Sequence, residues 1–325
     1  MPIDPVLSLF SDRFYMGAVA VYVLAMLLHA AEYVAARDSA KADVKAAALV
    51  GAGGETGSEP PVAAVDEPTE PAAPAGRPRS ERFGRMAVSL TVLGVLLHLT
   101  AIVLRGLAAQ RWPLGNMYEF TAAICLAAMV TWLVVLRRSP SLRRAGVFVL
   151  TPVLILMFLG GTVLYAQAAP VVPALQSYWL VIHVTTVTLA SGLFLVAGVA
   201  SLLYLLSRTG KAAGLVEKLP STASLDRLAY RVTAVAFPIY TFAVIAGAIW
   251  AEAAWGRFWG WDPKETVAFV AWVVYAAYLH ARATAGWRTT RAAWINALGF
   301  AVVVFNLFFI NMVVAGLHSY AGLPS

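Results

Sequence analysis

The sequence predicts an all-α, polytopic membrane bundle of about eight transmembrane helices. Three observations carry that prediction. Hydrophobic residues make up 60% of the 325 positions and charged residues only 13%, about half the roughly 25% charged content of soluble domains. Apolar runs near the length that crosses a bilayer core, about 20 residues, recur along the chain, and they lack the alternation of barrel strands. Lipid offers backbone N–H and C=O groups no partner, so each run must satisfy them internally, as a helix.

The first run, 15–36, follows a segment with aspartates and no basic n-region, MPIDPVLSLFSDRF. It is therefore read as a retained span, residues 1–37, rather than a cleaved leader. Residues 38–83, rich in Ala, Pro, Gly and acids (GAGGETGSEPPVAAVDEPTEPAAPAGRPRS), cannot build a core and read as a disordered cytoplasmic linker. Residues 84–320 hold the other runs, near 85–107, 117–136, 146–166, 178–206, 232–250, 265–281 and 292–315.

Lysine and arginine set the orientation. With the N-terminus outside, the inner segments carry nineteen of the 24 basic residues: seven in 37–85, four in 137–144, five in 207–231 and three in 282–291. That asymmetry is the positive-inside signal. It places both termini on the extracytoplasmic side and explains the net charge of +7 by topology and anionic lipid, with no nucleic-acid partner. The single cysteine, Cys125, excludes a CxxC redox pair, an intramolecular disulfide and a thiolate metal cluster within the chain, and reads as a small buried apolar residue.

The loop 251–265 contains the stretch WGRFWGWDPKET (255–266), with three tryptophans in seven residues. Its second half is a helix start: Asp262 at N-cap, Pro263 at N1 and Glu265 at N3 of the seventh helix form a capping box. Trp255, Trp259 and Trp261 fit either an interfacial belt or a shelf for a flat apolar ligand, with Gly256 and Gly260 removing side chains between the rings. The histidines bear on that choice. His183 lies about one and a half turns into the fifth span, roughly 8 Å in by helical rise, and His318 just past the last span, so both share the loop's face. Paired imidazoles either side of a flat macrocycle describe axial ligation of haem iron. His29, His98 and His280 fall within spans, where an ionisable group is a functional hypothesis by default. His280 ranks first as an intramembrane ligand, and His29 has a local alternative in Glu32, three residues on.

Five pieces then carry a family resemblance: LQSYWLVIHV (175–184), WGRFWGWDPKET (255–266), YLHAR (278–282), GLHSY (316–320) and WPLGNMYEF (112–120). With them the chain resembles the CcsA/ResC family, called CcsB in some bacteria, of the system II cytochrome c biogenesis pathway. This family shares a haem-handling WWD loop. CcmC and CcmF carry the loop too, but DPKET favours CcsA/ResC. The resemblance implies a haem-handling transmembrane domain over 84–320. In it His183 and His318 are the outer haem ligands around a platform of Trp255, Trp259, Trp261 and Asp262. His280 is the intramembrane ligand, opposed by His98, His29 or a partner's residue, and Arg257 or Lys264 are candidates to meet the haem propionates or, equally, lipid phosphate. It further implies haem b as ligand and substrate, and thioether attachment to an apocytochrome c CxxCH as part of a holocytochrome c synthase (haem lyase). The implied partners are a ResB-like membrane protein and separate thiol-reducing proteins, and the implied location is the plasma membrane. Two other classes stay open on residues alone: a secondary transporter of another solute, though no inverted repeat is evident, and a non-catalytic scaffold for the ResB-like protein.

Overall fold

A computed structural model describes residues 3–52, 79–171, 173–209, 213–216, 218–284, 287 and 290–318, and among these, eight helices are long and apolar enough to cross a membrane. With the short α6 added, the helices in order are α1 (Pro5–Ala52), α2 (Arg79–Ala109), α3 (Met117–Arg138), α4 (Gly146–Thr162), α5 (Tyr178–Arg208), α6 (Ala213–Val216), α7 (Thr222–Trp255), α8 (Pro263–Ala283) and α9 (Thr290–Phe305), the last continued by a π turn, Asn306–Ile310. No strand occurs among the described residues. Each apolar run of the sequence falls on one of these helices.

Helix ends differ from the apolar runs where polar residues prolong a helix. α7 begins ten residues before its apolar run because Ser221 caps it, accepting from the Ser224 N–H. Its charged first turns are held by Asp226, whose carboxylate takes Arg282 of α8 at 2.5 Å. The linker expected over 38–83 needs correcting at both edges. α1 continues to Ala52 and α2 begins at Arg79, because ARDSAKADVKAAALVGA is rich in strong helix formers. Residues 53–78 of that linker lie outside the described residues.

α1 and α2 run antiparallel. The Asp4 N–H bonds the Ala108 carbonyl at 3.0 Å, Ser11 Oγ donates to the Ala101 carbonyl at 2.8 Å, and at the other end Glu32 lies against Gly84. The buried face of α1 is Ser11, Tyr15, Ala18, Tyr22, Ala25, His29 and Glu32. This alternating three- and four-residue spacing is that of a left-handed helix seam. The pair packs on α3 and α4, while α7, α8 and α9 surround α5, which also touches α3 and α4. α5 is the central post: 83% of its apolar window is buried, and Phe194 on it stacks on Tyr275 of α8 at 3.7 Å. Outward, large apolar side chains such as Leu27, Val103, Phe158, Phe242 and Leu298 are exposed, as expected where the solvent is lipid. The molecule is a multi-pass membrane protein. The starts of α3, α5 and α8, the end of α7 and the segment at His318 share one end of the bundle, and Asp4 lies at that end too.

Candidate functional site

The tryptophan loop is shaped by its two flanking helices. α7 stops because Gly256 adopts φ +70° and its N–H bonds the Glu252 carbonyl at 2.8 Å, a left-handed terminus that glycine takes without steric cost. A side chain at Gly260 would collide with the Arg257 guanidinium. These glycines thus end a helix and seat an arginine, which corrects the expectation that they clear space between tryptophans. The helix start is as the sequence predicts. The Glu265 carboxylate accepts from the Gly260 N–H at 2.9 Å and the Asp262 N–H at 3.1 Å, and takes Arg257 at 3.4 Å. Asp262 does more than cap. Its two oxygens accept from the Leu317 N–H and from His318 Nδ1, each at 2.8 Å, so it pins the segment after α9 onto the start of α8.

Beside the loop lies an apolar cavity of about 1260 Å³, counting the space at its open mouth. Its walls come from the starts of α3, α5 and α8, from α7 and from the π turn. Trp255 and Trp259 line it, as do both His183 and His318. Trp261 does not. Its backbone is left-handed at φ +58°, the side chain is 66% exposed, and the ring stands edge-on to Trp259 and Phe269 at 5.7 and 6.4 Å. The structure therefore places Trp261 on the outer surface, apart from the expected platform.

The two imidazoles are held alike. His183 Nδ1 lies 2.8 Å from the Ala243 carbonyl, and His318 Nδ1 the same distance from Asp262. Both acceptors assign the Nδ1–H tautomer, which leaves Nε2 of each ring with a free lone pair. A carboxylate behind one imidazole and a carbonyl behind the other is the supporting shell that orients metal-binding histidines. Burial pushes the His318 pKa below its ordinary value and the Lys264 ammonium adds to this, with Asp262 opposing. The neutral, ligand-competent ring is favoured. Burial alone would raise the Asp262 carboxyl, but the Leu317 N–H and His318 hold it below its usual range.

Trp250, which no motif singled out, organises the pair. Its buried ring stacks on His183 (6.1 Å between centroids, 9°) and meets His318 edge-on at 5.8 Å. One indole touching both rings keeps the imidazoles within about 12 Å of each other. Gly247 is equally specific: a methyl there would come 2.7 Å from the His183 ring. The signal available in sequence was only that Trp250 and Gly247 lie one and two helical turns before the loop on one face.

The remaining candidates lie elsewhere. His280 is at the far end of α8 and exposed. His29 on α1 and His98 on α2 are fully buried, the first against Gly146 at the start of α4. His98 meets the rings of Tyr15 and Tyr22, both at 6.0 Å, and His29 sits 3.5 Å from Glu32, which is taken by Arg143. Neither is brought to His280. Cys125 is buried, as expected.

The family described as Cytochrome C assembly protein matches residues 114–318, from the cavity wall at the start of α3 to His318. The chain belongs to the CcsA family. It is 34% identical over 265 residues to the cytochrome c biogenesis protein CcsA of Parasynechococcus marenigrum (strain WH8102), covering 71% of this chain and 85% of that one. To the CcsA of Synechococcus sp. (strain RCC307) it is 35% identical over 273 residues, 75% and 87% of the two chains. To the CcsA of Chlamydomonas reinhardtii it is 43% identical over 155 residues, 47% and 44% of the two. The solved structure of cytochrome c haem lyase CcmF shares the fold, with a TM-score of 0.61 at 17% identity, over 95% of this chain and 47% of that one. Membership of the CcsA family makes cytochrome c biogenesis the setting of this cavity.

Proposed function

We propose that this CcsA-family chain is the haem-presenting subunit of a cytochrome c synthase, and that His183 and His318 hold the iron of haem b in the cavity with Trp255 and Trp259 against the macrocycle. The observation that carries this reading is one apolar cavity lined by two imidazoles, each held from behind at Nδ1 and so left with a free Nε2. The donor set suits a haem iron, and indole faces suit a flat apolar ring. The Lys/Arg distribution supports an extracytoplasmic position for the cavity and both termini, and we take the membrane to be the plasma membrane. The apocytochrome's CxxCH histidine displaces one of the two ligands. Each cysteine S–H then adds across a vinyl group, sulfur bonding one carbon and hydrogen the other, with no net oxidation. The thiols must arrive reduced from other proteins, because the lone Cys125 is buried and has no partner cysteine. The chain contributes by positioning and by the axial ligands. His280 serves haem on its way through the membrane. Its exposure on the bundle surface suits a site shared with a ResB-like partner better than one shared with His98 or His29.

The test is the absorption spectrum of the detergent-purified protein, co-expressed with its partner, as wild type and as His183→Ala and His318→Ala. A Soret band in the wild type that is lost or shifted in both variants, together with lost cytochrome c maturation, is expected. Unaltered holocytochrome c in both variants would overturn the ligand assignment.

A further inference from the structure

At the end of the bundle away from the cavity, α2 and α3 leave between them a groove of about 1340 Å³, counting its open side. Its length is apolar, with Val88 and Val92 from α2 facing Val130 and Val134 from α3. Three of these valines, Val92, Val130 and Val134, are exposed, so the groove opens toward lipid. Its end is basic. Arg85 near the start of α2, Arg137 in the last turn of α3 and Arg143 in the turn before α4 all line it. Val92 lies seven positions from Arg85 and Val130 seven from Arg137, about 10 Å of helical rise on each wall. Both walls therefore pass from apolar to basic in the same direction and over the same length.

The guanidinium groups keep charge and donors to spare. Buried Glu32 accepts from Arg143 Nε at 2.7 Å, and Glu81 reaches Arg85 only at 4.0 Å. Among the described residues Arg137 meets no carboxylate within 4.0 Å, and the Nη nitrogens of Arg143 carry no hydrogen bond. Arg143 is also more than a loose surface cation. A methyl group at Gly84 would collide with both Arg143 and Glu32. α2 is thus notched where that pair passes, and the pair fixes one guanidinium at the edge of the groove.

We propose that this groove is a binding site for an anionic phospholipid, its phosphate held by Arg85, Arg137 and Arg143 and one acyl chain lying between α2 and α3. A surface that is apolar along its length and cationic at one end matches an amphiphile with a negative head, and guanidinium groups pair with phosphate through two parallel hydrogen bonds. Basic pockets between spans are the places where membrane proteins select such headgroups. A zwitterionic lipid brings its own ammonium into the cluster and is disfavoured there. On the orientation that Lys and Arg favour, the leaflet is the cytoplasmic one. The lipid completes the contact of the two helices. Arg105 of α2 and Glu119 of α3 join them at the cavity end, at 3.1 Å, and the bound lipid joins them at the other.

The experiment titrates the full chain, purified in a neutral detergent, with phosphatidylglycerol or with phosphatidylcholine of identical acyl chains, and follows bound lipid by native mass spectrometry. Wild type should bind the first phosphatidylglycerol at least about fivefold more tightly than the first phosphatidylcholine, the scale of one basic side chain acting on an anionic headgroup. Arg137→Gln should remove most of that preference. Arg138→Gln, at an exposed neighbour that does not line the groove, should keep it. Val130→Trp fills the groove, leaves every arginine in place and should weaken both lipids. Glycerol phosphate, a headgroup without chains, should not compete. Equal binding of the two lipids by the wild type would overturn the site, as would equal losses in Arg137→Gln and Arg138→Gln, the result that diffuse surface charge produces. Unchanged binding in Val130→Trp, or competition by glycerol phosphate, would overturn it too, since a headgroup bound alone needs no groove.

Discussion

Two turns at the cavity end of the molecule are built on one plan and finished differently. Arg111-Trp-Pro-Leu-Gly-Asn-Met-Tyr-Glu119 leads into α3, and Arg257-Phe-Trp-Gly-Trp-Asp-Pro-Lys-Glu265 leads into α8. Each runs nine residues from an arginine to a glutamate at the third position of a helix. In each the glutamate takes that arginine and a glycine N–H: Arg111 at 2.7 Å and Gly115 at 2.8 Å in the first, Arg257 at 3.4 Å and Gly260 at 2.9 Å in the second. The first turn is closed. Asn116 caps its own helix through the Glu119 N–H at 2.9 Å, and the buried Glu119 also takes Arg105 at 3.1 Å. The second is open. Asp262 turns its carboxylate to His318, and Lys264 keeps an ammonium without a carboxylate. The same local device thus makes a scaffold when its polar groups satisfy one another and a site when some are left for other partners.

Substitutions can break or sharpen that contrast. The largest effect is expected from His183→Ala or His318→Ala. Haem retention should fall by more than the roughly 10–100-fold typical of supporting-shell partners, read from the spectrum. Next, Glu119→Gln should act on the fold. It leaves Arg111 without its carboxylate and Arg105 with Asp12 alone, at 3.6 Å, at a cost of about 3–5 kcal/mol. Thermal unfolding should show this, while the surviving folded protein binds haem normally. A change in affinity without a change in stability would erase the distinction between the two turns.

Asp262→Asn should do the reverse, lowering haem affinity about 10–100-fold with little change in insertion. It also has a pH signature. The His318 pKa lies below its ordinary value, so between the unfolded and folded values the unfolded ring binds more protons. The docked ring is favoured above about 6.5, the unfolded pKa, and loses that advantage as pH falls toward the folded pKa. Haem needs the neutral ring, so its affinity should hold below the ordinary imidazole value of about 6.5 and fall only as pH reaches the lower value of the docked ring. Removing the carboxylate that raises this pKa should move the acid limb to still lower pH. An unmoved limb would make Asp262 a cap only. Gly247→Ala should weaken haem binding by about tenfold, as the methyl displaces the His183 ring from its carbonyl at some cost in packing. Smallest is Trp261→Ala, within about twofold in haem affinity because a surface change away from the cavity has little energetic leverage; Trp259→Ala should exceed it.

The eight helices were legible because a bilayer turns hydropathy and length into a structural rule. The histidines could be ranked by depth because helical rise is constant. What could not be read was the direction of side chains across loops. Trp261 looked equivalent to Trp259 in sequence, yet its left-handed backbone turns the indole out. Asp262 announced itself as a cap, but its partnership with His318 joins residues 56 positions apart. Trp250 sits in an unremarked apolar run, and only the packing of α7 beside α5 shows it between two imidazoles. The nine-residue pattern shared by the two turns was present all along but hidden by different aromatic content, and its meaning lies in which hydrogen bonds close.

The bond from Asp262 to the backbone of residue 317 carries a consequence for biosynthesis. The second imidazole follows the eighth span, so every other wall of the cavity is translated and inserted before it exists. A nascent chain stalled ahead of residue 317 would hold His183, Trp250 and both lining tryptophans but could not complete the pair of imidazoles. If the proposed pair holds haem, capture of the cargo would wait until the membrane portion is entirely assembled, and partly made chains would not sequester a reactive iron compound.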